Sequence, residues 1–194
     1  MELSIETILS IFLGIGLAAS VGFRIFVPLC ALSVASHFNI IELNENWMWI
    51  GSSTAILILL VATFVEILAY FIPWLDNLLD TLAIPLAAIA GTVVMVATIS
   101  NLDPIITWAL AIIAGGGTAA AIKGTTSSAR ITSTATTAGI ANPVVSTIET
   151  GSSIVMSIFS IYLPLVAFFA VLFIMWIVYK VYSKLTSSKK LTKN

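Results

Sequence analysis

The sequence predicts an all-α polytopic transmembrane helix bundle of about six membrane segments. Three observations carry that prediction. Of 194 residues, 59 % are hydrophobic and only 9 % charged, with a mean hydropathy of +1.12, whereas soluble domains carry about 25 % charged residues. Apolar runs of membrane-crossing length recur along the chain, separated by short polar turns. Arg24 is the only charged side chain between Glu6 and Glu42, and a charge at that depth is costly unless something holds it.

The same composition narrows the function. A net charge of −1 gives no reason to expect a nucleic-acid partner. The N-terminal MELSIETILS lacks the basic start of a signal peptide and is expected to be retained. Cys30 is the only cysteine and His37 the only histidine, which removes an intrachain disulfide, cysteine or histidine-rich metal centres and most histidine acid–base chemistry. No nucleophile–base–orienter set and no phosphate-binding loop is visible. GIGLAASVG is a small-residue helix pattern with no preceding strand. The expectation is therefore no enzyme, no cofactor and no metal.

Thr7 to Phe38 is too long for one straight span, since about 30 helical residues reach ~45 Å against a hydrocarbon core of ~30 Å. Gly14, Gly16, Gly22 and Pro28 supply a break, and Pro28 deprives the Arg24 carbonyl of its helical partner. A freed carbonyl at membrane depth must be satisfied by protein or water, so the first segment reads as a bent or interrupted helix. NIIELNENW (39–47) is an acidic turn closed by interfacial Trp47 and Trp49. Trp47 to Phe71 forms the second span and carries one acid, Glu66. PWLDNLLD (73–80) is an amphipathic connection, Thr81 to Ile99 the third span, NLDP a turn in which Asp103 does turn chemistry, and Ile105 to Ile122 the fourth. Ile154 to Tyr179 is a last apolar span before a tail with Lys180, Lys184, Lys189, Lys190 and Lys193. Residues 1–180 thus form one transmembrane domain and 181–194 a basic tail.

Between them lies GTTSSARITSTATTAGIANPVVSTIET (124–150), in which twelve of residues 125–150 are Ser or Thr. The tail lysines place the C-terminus in the cytoplasm and the acidic 39–47 turn outside. Counting back, residues 124–150 must cross or re-enter as a polar fifth segment. That gives six crossings with both termini cytoplasmic. The alternative is five crossings with the N-terminus outside. Hydroxyls suit a buried crossing because each can bond a helical carbonyl and lets helices approach closely.

Three cations sit at or near membrane depth: Arg24, Lys123 and Arg130. The last two are two helical turns apart, with Thr126, Ser127, Ser133, Thr134 and Thr137 on or beside their face. Such a stripe suits an anionic phosphate or carboxylate moving along a narrow hydrated path. It suits equally well two acids of the protein, Arg24 with Glu66 or Arg130 with Glu149, as locks between helices. Asp76 and Asp80 share a helical face with Asn77 beside them and could attract a cation, though they fall short of an oxygen shell; a solvated interfacial face is the plainer reading. His37 reads as interfacial. GLAASVGFR (16–24) and GTAAAIKGT (117–125) resemble one another, each followed by a proline-marked break, a pattern that points to a transporter binding site between halves; the match does not extend cleanly through the later spans.

GLAASVGFRIFVPL, Glu66 followed by PWLDNLLDTL, Lys123…Arg130 and NPVVSTIE together resemble a bacterial membrane family known as domain of unknown function 4126. The resemblance covers nearly the whole chain except the lysine tail. Glu66, Asp76, Asp80, Lys123, Arg130, Asn142, Pro143, Ser146 and Glu149 fall on its matching positions. The chain departs from the family's pattern at two places, with Thr150 where a second acid follows the glutamate and Ala119 and Ala120 where a histidine precedes the lysine; both departures weaken a proton-coupling role. No activity comes with the resemblance.

The functional expectation is a small inner-membrane transporter or channel-like permease for an anionic solute or lipid headgroup. Arg24, Lys123, Arg130, Thr126, Ser127, Thr134 and Asn142 would bind the substrate, and Glu66 and Glu149 would act as counter-ions or coupling groups. The competing expectation is a non-transporting scaffold or lipid-binding protein in which the charges are helix locks. The partners in either case are the bilayer and, for so thin a bundle, further copies of the chain.

Overall fold

The computed structural model describes residues 4–191; the side chains of residues 73–78, 80, 181–182 and 184–191, including those of Asp76 and Asp80, lie outside the described residues. Helices α1 (Ile5–Phe23), α2 (Phe26–His37), α3 (Ser53–Ala69), α4 (Pro73–Thr98), α5 (Pro104–Leu110), α6 (Gly117–Thr137), α7 (Asn142–Tyr162) and α8 (Pro164–Leu191) follow one another, with no strand among the described residues. A 3-10 segment, Glu45–Gly51, precedes α3, and a π segment, Ala111–Gly116, fuses α5 and α6 into one continuous helix. Among the described residues four helices are long and apolar enough to cross a membrane, or five if the pair Glu45–Gly51 and Ser53–Ala69, bent by 65°, counts as one. The expected helical membrane bundle is what forms.

Helix α1 is the axis. Gly14, Gly16, Ala18, Ala19, Ser20 and Gly22 are all buried, and their small side chains let α4, α6, α7 and α8 pack around them. Ser4 caps its start by accepting from the Thr7 N–H at 3.1 Å. Its end is abrupt: Arg24 is extended, with φ −140° and ψ 132°. The cause is local, because the Pro28 ring would strike the Arg24 carbonyl if the helix continued.

The segment is interrupted, one of the two forms the sequence predicts, and the interruption also reverses the chain. A cavity of 770 Å³ brings Glu6, Ser10 and Leu13 of α1 against Ile41 and Glu42, which follow α2. Leu32 of α2 joins the same apolar cluster as Leu13, Leu17 and Val21. Pro164, at the start of α8, lines that same cavity, and α8 then runs alongside α1, Phe168 stacking on Phe12 at 4.3 Å and Val171 packing with Ala19. The start of α1 and the end of α8 therefore lie at opposite ends of the bundle. The expectation of both termini on one side does not hold, because α2 adds a return leg that the count omitted.

Residues 124–150 also differ from expectation. They do not cross as one segment but form the tip of a helical hairpin, α6 ending at Thr137 and α7 starting at Asn142. The turn uses left-handed backbone at Ala138 (φ 51°) and Gly139 (φ 85°). The continuous helix Pro104–Thr137 has 34 residues, about 51 Å, so its last turns outrun a hydrocarbon core of ~30 Å. Thr132, Thr134 and Thr136 in those last turns are exposed. The polar helix that packs inside the bundle is α7, with Ser146, Ser153, Ser157 and Ser160 buried along one face. Asp103 caps α5 by accepting from the Ile105 N–H at 2.9 Å, the turn role expected of it. His37 is exposed, its Nδ1 lying 2.8 Å from the Gly51 carbonyl.

Candidate functional site

The break between α1 and α2 leaves helix-end groups that no local residue satisfies. Ile25 offers no side-chain cap to α2. Two charged side chains from elsewhere complete it. The Lys123 ammonium donates to the Phe23 carbonyl at 2.8 Å, a cation on the negative end of α1. The Glu66 carboxylate accepts from the N–H of Ile25 at 2.8 Å and of Phe26 at 3.0 Å, an anion on the positive end of α2. Each charge sits where the helix dipole favours it. The carbonyl captured is that of Phe23, one residue before the Arg24 carbonyl expected from the sequence.

Lys123 reaches this place because α6 crosses α1 closely. A Cβ added to Gly22 would lie 2.5 Å from the Ile122 Cβ and 3.0 Å from the Ala119 carbonyl, so only glycine admits the approach. Glu66 arrives on α3, which packs chiefly on α2 and the 3-10 segment and otherwise turns Leu57, Ile58, Val61, Phe64 and Val65 outward, a surface suited to lipid.

Arg24 itself is fully buried. Its Nε donates to Thr150 Oγ1 at 3.1 Å, and its Nη2 donates to the Ser146 carbonyl at 3.0 Å and to Ser146 Oγ. Nη2 also lies 3.7 Å from Glu149. Positions 146, 149 and 150 share one face of α7 by helical spacing. Arg130 donates to the same Glu149 carboxylate. Of the two ion pairs the sequence suggested, Arg130–Glu149 forms, and Arg24 takes Glu149 rather than Glu66, which the α2 amides occupy.

Tyr70, one turn after Glu66, completes the cluster. Its ring lies 4.0 Å from the Arg24 guanidinium carbon, 4.2 Å from that of Arg130 and 6.0 Å from the Lys123 nitrogen. A ring face between two guanidiniums is attractive to both. Ser127, on α6 between Lys123 and Arg130, is buried with no hydrogen-bond partner for its Oγ, and Arg24 Nη1 likewise has none.

The remaining sequence candidates stand elsewhere. Thr126 bonds back to the Lys123 carbonyl at 3.1 Å. Thr134 and Asn142 bond each other at 2.9 Å and brace the α6–α7 turn. The side chains of Asp76 and Asp80 lie outside the described residues, and no group of three or more metal-binding side chains occurs among the described residues.

Sequence reasoning did not assign a site role to Tyr70, although its four-residue spacing from Glu66 was legible, or to the serine seam running from the site along α1 and α7. Ser20 Oγ donates to the Ser153 carbonyl at 2.6 Å and lies 3.0 and 2.7 Å from the hydroxyls of Ser153 and Ser157. The spacing of Ser146, Ser153, Ser157 and Ser160 on one helical face was the available signal.

The family model described as Domain of unknown function (DUF4126) matches residues 11–184. No curated protein and no solved structure matches the chain. A match over nearly the whole chain shows the family: the chain belongs to the DUF4126 family.

Proposed function

We propose that this member of the DUF4126 family is a small membrane permease for an anionic solute or lipid headgroup, with its anion site at the α1–α2 break. One observation carries the reading. Three buried cations, two from α6 and one from the helix break, converge on one aromatic ring, while Arg24 Nη1 and the Oγ of Ser127, on α6 between Lys123 and Arg130, have no hydrogen-bond partner. Guanidinium donors that are desolvated and held in place are suited to a carboxylate or phosphate. The cavity at the opposite end is bordered by Glu6, Glu42 and Glu45, so an anion reaches the cluster from the end that carries the C-terminus. The serine seam between α1 and α7 would then offer hydroxyls along the path toward the acidic end.

The positive-inside rule supports a cytoplasmic lysine-bearing end, and with the start of α1 at the other end of the bundle the same reading has the N-terminus outside. The reading is non-enzymatic, uses no cofactor, and places the bundle in an inner membrane as a homo-oligomer.

Radiolabelled phosphate and acetate uptake into liposomes reconstituted with wild type or Arg24→Gln tests this. Flux of either anion in wild type, reduced about tenfold or more in the folded variant, supports it. A second reading, a scaffold locked by charge, is favoured by the way Glu149 bridges both arginines. It predicts no flux in either protein and a lower unfolding temperature for Arg24→Gln.

A further inference from the structure

Resting on the anion reading above, the geometry points to Glu66 as a tethered occupant of the anion site: its carboxylate holds the position that the oxyanion head of the ligand, a carboxylate or phosphate, takes when Glu66 withdraws. Both Glu66 oxygens are held, one by the Ile25 N–H at 2.8 Å and the other by the Phe26 N–H at 3.0 Å. Two successive amides at the start of a 12-residue helix present to any oxyanion the donors they present here to a side chain. An ordinary cap comes from the residue beside the helix; this one comes from about forty residues further along the chain. The cradle is thus a built anion site with a removable occupant. Arg24, directly before Ile25 in the chain and 0 % exposed, keeps Nη1 without a hydrogen-bond partner.

The occupant is mounted to move. Glu66 is 7 % exposed, on a helix that packs chiefly against α2 and the 3-10 segment. Tyr70, one turn on, is the ring lying against Arg24 and Arg130. A shift of the last turn of α3 withdraws the carboxylate and the ring together. It frees two amide donors and a face of each guanidinium at once. Replacing one anion by another leaves neither the amides unsatisfied nor the local charge changed, so the two states can lie close in free energy.

The test measures binding of inorganic phosphate by equilibrium dialysis and of phosphatidylglycerol by native mass spectrometry, using the full chain in neutral detergent. Glu66→Gln keeps the shape and removes the competing charge. It is expected to bind one probe about tenfold or more tightly than wild type, because the open state is no longer the minor one, while Arg24→Gln loses binding. Tightening for phosphate identifies a free oxyanion, and tightening for the lipid alone a headgroup. If wild type binds and folded Glu66→Gln binds equally or more weakly, Glu66 is a plain helix cap; the proposal falls and the anion reading stands. If folded wild type and Glu66→Gln bind neither probe, both fall. Should Glu66→Gln fail to fold, hydrogen exchange on wild type decides: saturating phosphate raises exchange across residues 63–72 while the Ile25 and Phe26 amides stay protected. Unchanged exchange across 63–72 overturns the proposal.

Discussion

Arg130 and Glu149, nineteen residues apart on the two arms of the α6–α7 hairpin, form a buried ion pair. The same carboxylate lies 3.7 Å from Arg24, so one acid serves guanidiniums from two parts of the chain. Removing its charge takes the carboxylate from both at once. Glu149→Gln is expected to destabilise the protein by about 3–5 kcal/mol, the cost of leaving buried charge without its partner. Chemical denaturation in detergent measures this, and adding Arg130→Gln to the same chain should recover part of the loss. An unchanged denaturation midpoint in the single variant would mean that other groups hold the arginines.

Gly22 sets how closely α6 approaches the break. Gly22→Ala places a methyl 2.5 Å from the Ile122 Cβ, and such overpacking costs about 1–3 kcal/mol. The expected outcome is a lower unfolding temperature that Ile122→Ala partly restores. No restoration would show that the crossing tolerates the methyl and that the loss arises elsewhere.

Ala138 ends α6 with φ at 51°, a conformation that costs an L-residue about 1–2 kcal/mol and glycine little. Ala138→Gly should therefore raise stability by about 0.5–1 kcal/mol, after the greater freedom of glycine in the unfolded chain is deducted. A melting curve that moves down instead would mean that the methyl makes a compensating contact.

The ends of the chain give a test of the reversal at Arg24. Single cysteines replacing Ser4 and Ser183, both exposed, in a Cys30→Ser background should react with a membrane-impermeant thiol reagent from opposite sides. Labelling of both from one side would restore the six-crossing count with both termini together.

That reversal shows what the sequence could and could not reveal. The bundle, the span edges at Trp47 and Asp103, and the break near Pro28 followed from hydropathy and turn chemistry. Whether the break bends or reverses the chain depends on how its ends are satisfied. The answer is Lys123, one hundred residues from Phe23, and Glu66, about forty from Ile25. No local pattern encodes either contact. The hairpin at 138–141 was hidden for a different reason: threonine and serine suit both a buried crossing and a projecting tip, and composition alone does not separate them. The cations and acids of the site were legible as types misplaced in an apolar chain. Their partners were only half legible, because the Arg130–Glu149 pair spans a hairpin while the Arg24 contacts with Ser146, Thr150 and Tyr70 need the tertiary fold.

The central claim is that the α1–α2 break is a cationic site reachable by an anion, and Ser127 is placed to test it. Its hydroxyl is buried without a partner between Lys123 and Arg130. The measurement is the modification rate of Ser127→Cys, in the Cys30→Ser background, by an anionic sulfonate-bearing thiol reagent and by its cationic ammonium counterpart. Reaction is expected from the end that bears the C-terminus, with the anionic reagent about tenfold or more faster, as local potential raises the concentration of the opposite charge. Equal rates, a faster cationic reagent, or no modification by either would contradict it and leave a dry lock between helices.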